Sequence, residues 1–269
     1  LELHRVAVGD HILLGGDNMD LTLAHVVARK LAAEGKTLDP WQMRALTHAC
    51  RSAKESLLTD ASLDVQPIVV ASRGAKLIGG SVRTELTQTE VRATLLEGFF
   101  PVVDAAARPA IRTRGGLTQL GLPYAQDAGV TRHLAALLGR QAGATAELEG
   151  FAGKIDADAS FLHPTAVLFN GGVFKSGILT ERMLGTLNGW LGAEHAEAAR
   201  MLTGADMDLA VARGAAYYGY VRRGQGVRIR GGTARAYYVA VESSMPALPG
   251  LEPPVQALCI APFGMDAGI

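Results

Sequence analysis

The sequence predicts an α/β fold assembled from subdomains in which helices and short strands are mixed. Apolar residues recur at helical spacing in several long segments, and shorter apolar runs bounded by glycine or proline lie between them. One apolar run also passes through a double glycine directly into a helical segment, which is typical of the strand–turn–helix connections of α/β proteins.

Composition excludes several classes of protein. The 269 residues carry 26 basic and 26 acidic side chains, and 48% of the residues are hydrophobic. Disordered chains are poorer in apolar residues, and nucleic-acid binders usually have a basic excess. No uncharged apolar run reaches the roughly 18 residues of a membrane span. We therefore expect neither nucleic acid nor membrane as a partner, and two distant cysteines fit a reducing, cytoplasmic compartment.

The first elements are read from apolar stripes and capping residues. Residues 3–14 predict a β-hairpin, and the helix that follows ends at Gly35, since glycine favours a helix stop. A second helix begins with Asp39 as N-cap, Pro40 at its first position and Gln42 closing a capping box. The stripe of the first helix consists of Met19, Leu23, Val26, Val27 and Leu31. That of the second helix consists of Leu46, Ala49, Cys50, Ala53 and Leu57.

Short strands and a third helix are expected next. Residues 65–71 and 76–79 predict strands, and Thr87 with Glu90 forms a second capping box. The helix that Thr87 caps has one apolar face, formed by Val91, Leu95, Phe99 and Val102. These elements predict one small helical and sheet subdomain.

The second half contains the double glycine noted above. Residues 165–170 predict a buried strand, and Ser176 opens a helix whose stripe is Leu179, Met183, Leu187 and Trp190. Residues 127–138 and 206–220 predict helices, the latter with small residues that permit close packing. Residues 227–230 and 234–242 predict strands.

Two glycine pairs are candidates for a binding site. Gly15-Gly16 and Gly171-Gly172 each precede a helical segment, so backbone N–H groups and a helix N-terminus lie together there. Such a turn predicts either a cradle for a nucleotide or a plain tight connection. Neither the P-loop nor the dinucleotide-binding spacing is present, and no metal site is expected because His and Cys lack metal-ligand spacing.

Four segments, taken in order, resemble the heat-shock protein 70 family of DnaK-like chaperones. They are L-G-G-D-N-M-D at 14–20, R-S-A-K-E-S-L-L at 51–58, V-L-F-N-G-G-V-F-K at 167–175 and D-L-A-V-A-R-G-A-A at 208–216. The resemblance covers roughly residues 1–104 and 163–222. The stretches at 121–127 and 131–135 are similar to those of a divergent group of long DnaK-like bacterial proteins, and the chain is identified as a divergent member.

The resemblance implies lobe II of an actin-like ATPase (ribonuclease H-like) fold. Residues 1–14 and 160–222 would form the inner subdomain, a sheet flanked by helices, and 15–104 the outer one. Residues 105–159 would be an insertion, and 223–269 a strand-rich C-terminal extension. Because residue 1 is not methionine and the chain stops in a strand-like run, we expect it to be a piece of a longer protein.

The resemblance also implies a site for the nucleoside of ATP or ADP. Arginine replaces the family's glutamate at Arg51, and leucine its serine at Leu58. Lys175 keeps the charge of the family's arginine but lacks the planar group that stacks on a ring. The residues that would bind the nucleotide are Gly15, Gly16, Lys54, Glu55, Gly171, Gly172, Lys175 and Asp208.

The function implied is that of an ATP-binding lobe in a chaperone. In the full-length protein, ATP with Mg²⁺ would be bound and hydrolysed, and its state coupled to client proteins and co-chaperones. The family's phosphate loops and catalytic lysine precede the matched segments, so no catalytic residue is expected here and the fragment is expected to be inactive alone. Another actin-like ATPase or sugar kinase, and a non-catalytic interaction module, are the alternatives.

Overall fold

The computed structural model describes residues 7–9, 12–71, 81–110, 125–142, 159–204, 206–227, 236–242, 255–262 and 265. It confirms a mixed α/β chain. Its contacts divide the chain into two compact units, residues 12–213 and residues 1–11 with 214–269. In the described residues, no helix has the length and apolar character needed to cross a membrane. The hairpin expected at 3–14 lies largely outside the described ranges.

The first two helices of the larger unit form where their capping residues predict. Helix α1 spans Gly16–Ala33, and Gly35, with φ +77°, follows its end. Helix α2 spans Pro40–Thr59. The Asp39 carboxylate accepts from the backbone N–H of Gln42 at 2.8 Å, and the Gln42 side chain accepts from that of Asp39 at 3.0 Å. This reciprocal pair satisfies N–H groups that a helix start otherwise leaves unbonded.

A two-stranded antiparallel sheet follows α2. Strand β1, Val65–Val70, pairs with β2, Val82–Thr87, with Pro67 opposite Glu85. The sequence did not predict β2, and the strand expected at 76–79 lies outside the described residues.

The second capping box forms as predicted. Thr87 caps the short helix α3, Gln88–Arg92, which continues as one π-helical turn over Ala93–Glu97. Phe99 is buried, but Val102 is 69% exposed, so the prediction that it continues the apolar face is wrong. The helical turns end before Pro101, which disfavours helical backbone in the preceding residue.

One hydrophobic core joins these elements. It takes side chains from both long helices, from both strands and from the π-helical turn, and each of the five examples that follow is at most 1% exposed. They are Leu23, Leu46, Ile68, Leu86 and Leu95. Burial of the stripes predicted for α1 and α2 therefore supplies the main packing energy of this part.

The second half of the larger unit is built around two helices. Helix α4 spans Val130–Arg140, and α5 spans Gly177–Ala193 with Ser176 as N-cap. Between them in sequence, β3 covers only Ala166–Val167 and pairs in parallel with β4, Arg200–Met201, which was not predicted. The prediction of a buried strand over 165–170 is thus wrong in extent, and Leu168 is 56% exposed.

Helices α4 and α5 share a second core. Leu138, Phe161, Leu187 and Trp190 are buried in it, and the Trp190 indole N–H donates to the carbonyl of Val103 at 2.6 Å. Leu179 and Met183, the other predicted members of the α5 stripe, belong to the first core. One helical stripe therefore serves both cores.

Asp127 anchors the start of α4. It is 8% exposed and accepts from the backbone N–H of Ala110 at 2.8 Å, that of Gly129 at 2.7 Å and the Arg132 guanidinium at 2.9 Å. Burial alone raises the pKa of this carboxyl, but these donors outweigh burial, and the pKa lies below its ordinary value. The expected insertion at 105–159 is described only at 105–110, 125–142 and 159.

Helix α6 spans Ala210–Arg222, and the boundary between the two units falls within it. It begins later than predicted because the Asp206 carboxylate accepts from the N–H groups of Asp208 and Leu209. Its small residues permit close packing, but residues 211–220 are all exposed.

The smaller unit contains a pair of antiparallel strands. Strand β5, Tyr237–Glu242, pairs with β6, Val255–Ala261. Of the two strands predicted at 227–230 and 234–242, the second is confirmed in part. Val227 is not in a strand, and 228–235 lie outside the described residues.

Candidate functional site

A cavity of ≈ 420 Å³ lies between the start of α1, the last turns of α2 and the segment that leads into α5. That segment is the 3₁₀ turn Gly172–Lys175. The α2 residues Arg51, Lys54 and Leu58 face the cavity together because they are three and four residues apart on one helix face. The volume lies within the roughly 300–1,000 Å³ of small-molecule sites.

Five of the eight residues expected to bind a nucleotide line this cavity. They are Gly16, Lys54, Glu55, Gly172 and Lys175. Gly15, Gly171 and Asp208 do not line it. Asp208 is linked to the cavity only through Lys175, because the Asp208 carboxylate forms an ion pair with the Lys175 ammonium.

The two glycine pairs have different geometric requirements. Gly171 has φ 93° and ψ 154°, a region open essentially to glycine alone, and this conformation turns the chain from β3 into the 3₁₀ turn. A Cβ on Gly16 would meet the Lys54 Nζ at 3.6 Å, which is an ordinary contact. The backbone therefore requires glycine at 171, whereas alanine fits at 16.

A buried carboxylate organises the basic side chains of the cavity. Asp20 is 1% exposed, and one of its oxygens lies 2.6 Å from the Lys54 Nζ. The other oxygen accepts from the Arg51 Nε at 2.7 Å, and Arg51 also pairs with the exposed Asp17. The hydrogen bond and charge of Asp20 raise the pKa of Arg51.

Asp20 was missed in the sequence, although a signal for it existed. It lies on the same face of α1 as the buried residues Leu23 and Val27, and a carboxylate on an apolar stripe requires a partner. The neighbouring Cys50 thiol is also buried, and burial together with the charge of Asp20 raises its pKa to about 12. Cys50 is therefore an unreactive thiol of the core.

The remaining walls are apolar, with one buried hydroxyl. Met19, Leu58, Val173 and Leu179 supply hydrocarbon surface to the cavity. The Ser176 Oγ is buried and has no hydrogen-bond partner, although Ser176 is the N-cap of α5. This combination suits a ligand with a flat apolar part and a polar edge.

A second cavity, also ≈ 420 Å³, opens beside the 3₁₀ turn and shares Lys175 with the first. Its walls are mainly apolar and include Phe169, Phe174 and Met201. No group of three or more His, Cys, Asp or Glu side chains in the described ranges is placed to hold a metal ion.

Neither the protein-family models nor the curated proteins include a match to this chain.

Proposed function

We propose that this chain is the nucleotide-binding lobe II of an actin-like ATPase of the DnaK-like type, and that the first cavity holds the nucleoside of ATP or ADP. The observation that carries the proposal is that residues from distant parts of the sequence line the same cavity. Gly16, Lys54, Glu55, Gly172 and Lys175 come from three segments far apart in the sequence, yet all line one cavity. These are five of the eight residues that the resemblance implies as nucleotide-binding.

The chemistry of the walls supports a nucleoside as the ligand. An adenine ring needs apolar surface, which Met19, Leu58 and Val173 supply. Its edge and the ribose need hydrogen-bonding groups, and the exposed Glu55 carboxylate supplies one at the cavity. In a longer chain, the phosphates and Mg²⁺ would be held by other segments, and the bound state would be coupled to client proteins.

Calorimetric titration of the chain with adenosine, ADP and ATP tests the proposal. The variant Thr59→Trp places a large ring at the cavity, because Thr59 is exposed and lines it. Arg44→Trp is the matched control, since Arg44 is exposed on the same helix but does not line the cavity. We expect saturable binding that weakens about tenfold or more, by about 1.4 kcal/mol, in Thr59→Trp only.

Two results would contradict the proposal. One is the absence of binding by all three compounds, which favours the alternative of a non-catalytic interaction module. The other is equal binding by the Thr59→Trp and Arg44→Trp variants, which places the ligand outside the cavity. ATP hydrolysis is expected to be absent from this chain alone, and turnover at the rate of an intact ATPase would contradict the assignment to one lobe.

A further inference from the structure

We propose that the second cavity binds a small, predominantly apolar aromatic molecule, at a site separate from the cavity proposed for the nucleoside. The proposal goes beyond the proposed function, because it concerns different walls and a different class of ligand. It rests on the depth of this cavity, on the aromatic rings in its walls and on the surroundings of its polar groups.

The second cavity is a recess that runs from the surface towards the first hydrophobic core. Phe169 and Thr180 in its lining are only 7% and 9% exposed, whereas Met201 is 47% exposed. Its volume of ≈ 420 Å³ lies within the roughly 300–1,000 Å³ of small-molecule sites. An occupant has to enter this recess from the surface, which suits a small molecule better than the broad surface of a protein.

The apolar walls combine aromatic rings with flexible side chains. The ring centroids of Phe169 and Phe174 lie 4.7 Å apart, and Phe174 meets Phe100 edge to face at 6.1 Å. A further ring placed against Phe169 and Phe174 would extend this aromatic group, and aromatic pairs gain stability beyond the burial of apolar area. Met201 and Met207 are unbranched, so they can adjust to the outline of the ligand.

The polar groups of the lining do not favour a charged ligand. The hydroxyl of the buried Thr180 already donates to the carbonyl of Ser176 at 3.1 Å. The charged side chains of this lining, Lys175 and Glu181, are both exposed, so a charge carried into the recess would lose water without gaining a buried partner of opposite charge. The N-terminus of α5 borders the recess at Gly177, and it favours an acceptor atom of the ligand there rather than a cation.

Consecutive residues of one turn line the two cavities. Val173 lines the first cavity, Phe174 the second and Lys175 both. An occupant of the second cavity therefore touches the turn Gly172–Lys175, which is also a wall of the first cavity. Apart from Lys175 the two linings share no residue, so we expect the two ligands not to compete.

Fluorescence titration with N-phenylnaphthylamine, an uncharged aromatic probe that brightens in apolar surroundings, tests the proposal. The variant Thr203→Trp places a large ring at the second cavity, because Thr203 is exposed and lines it. Thr165→Trp is the matched control, since Thr165 is exposed and lines neither cavity. We expect saturable binding of the probe that weakens about tenfold or more in Thr203→Trp only. Circular dichroism of the variants checks that they are folded.

The variant Thr59→Trp, which fills the first cavity, separates this proposal from the proposed function. We expect it to bind the probe as the unmodified chain does, and a loss of about tenfold would place the probe in the first cavity and overturn the proposal. Absence of saturable binding, or equal affinities of Thr203→Trp and Thr165→Trp, would also overturn it. The proposed function stands or falls separately, on the titration with adenosine, ADP and ATP.

Discussion

Replacing Asp20 with alanine removes the carboxylate that neutralises Lys54 in the larger unit. The two groups lie 2.6 Å apart, and they are 1% and 7% exposed, so the lysine charge has almost no access to water. Loss of one partner of a buried ion pair typically costs about 3–5 kcal/mol, because the other charge stays buried without compensation. We expect Asp20→Ala to lower the free energy of unfolding by this amount.

The pairing predicts a specific pattern among three variants. Lys54→Met alone lowers the free energy of unfolding less than Asp20→Ala does. In Lys54→Met, Asp20 still accepts a hydrogen bond from the Arg51 Nε at 2.7 Å. In the double variant no buried charge is left unpaired, so its stability lies above that of Asp20→Ala despite the additional substitution. Asp17→Ala is the control, since Asp17 also pairs with Arg51 but its side chain is 90% exposed.

Urea unfolding followed by tryptophan fluorescence measures these differences. Both tryptophans, Trp41 and Trp190, lie in the larger unit, so the signal reports on that unit. At an m-value of about 3 kcal/mol/M, the midpoint of Asp20→Ala falls by about 1 M or more, and that of Asp17→Ala by at most about 0.3 M. Equal midpoints for Asp20→Ala and Asp17→Ala, or purely additive effects in the double variant, would refute the reasoning.

Three further predictions concern the backbone, pH and core packing. Gly171→Ala should cost about 1–3 kcal/mol because of its positive φ, whereas Gly172→Ala, which has open space around it, should leave the urea midpoint nearly unchanged; equal losses would contradict this. The depressed pKa of Asp127 means that its stabilisation is present above the ordinary aspartate pKa of about 3.9 and is lost as pH falls through the folded value. Wild type and Asp127→Asn should therefore differ in thermal midpoint at pH 7, and the difference should shrink as the pH falls below about 3.9; a constant difference would count against the assignment. Leu23→Ala should cost about 2–5 kcal/mol in urea unfolding, and Leu21→Ala, 47% exposed on the same helix, much less; similar losses would argue against the buried face of α1.

Helix starts were the most predictable part of the fold. Asp39 and Thr87 each bond to an N–H three residues away, and Gln42 and Glu90 bond back, so each cap is complete within one turn of the chain. The apolar stripes of α1, α2 and α5 were equally readable, because helical spacing alone places those residues on one face.

Strands and surfaces were less predictable because they depend on distant partners. The parallel pair joins Ala166–Val167 to Arg200–Met201, and its length is set by where both segments run side by side. The helix α6 has a composition suited to close packing, yet residues 211–220 are exposed. The small residues of a helix allow another element to pack closely against it, but they become buried only where such an element is present.

The candidate site also combines features that the sequence predicts with features that only the tertiary structure sets. The sequence by itself determined the helix caps, the buried stripes and the glycine turn at Gly171, because these arise from bonds and sterics within a few residues. Only the tertiary structure decided that the buried Asp20 carboxylate pairs with both Lys54 and Arg51. Charge pairing depends on distances between segments more than thirty residues apart in sequence, and packing of α1 against α2 sets those distances.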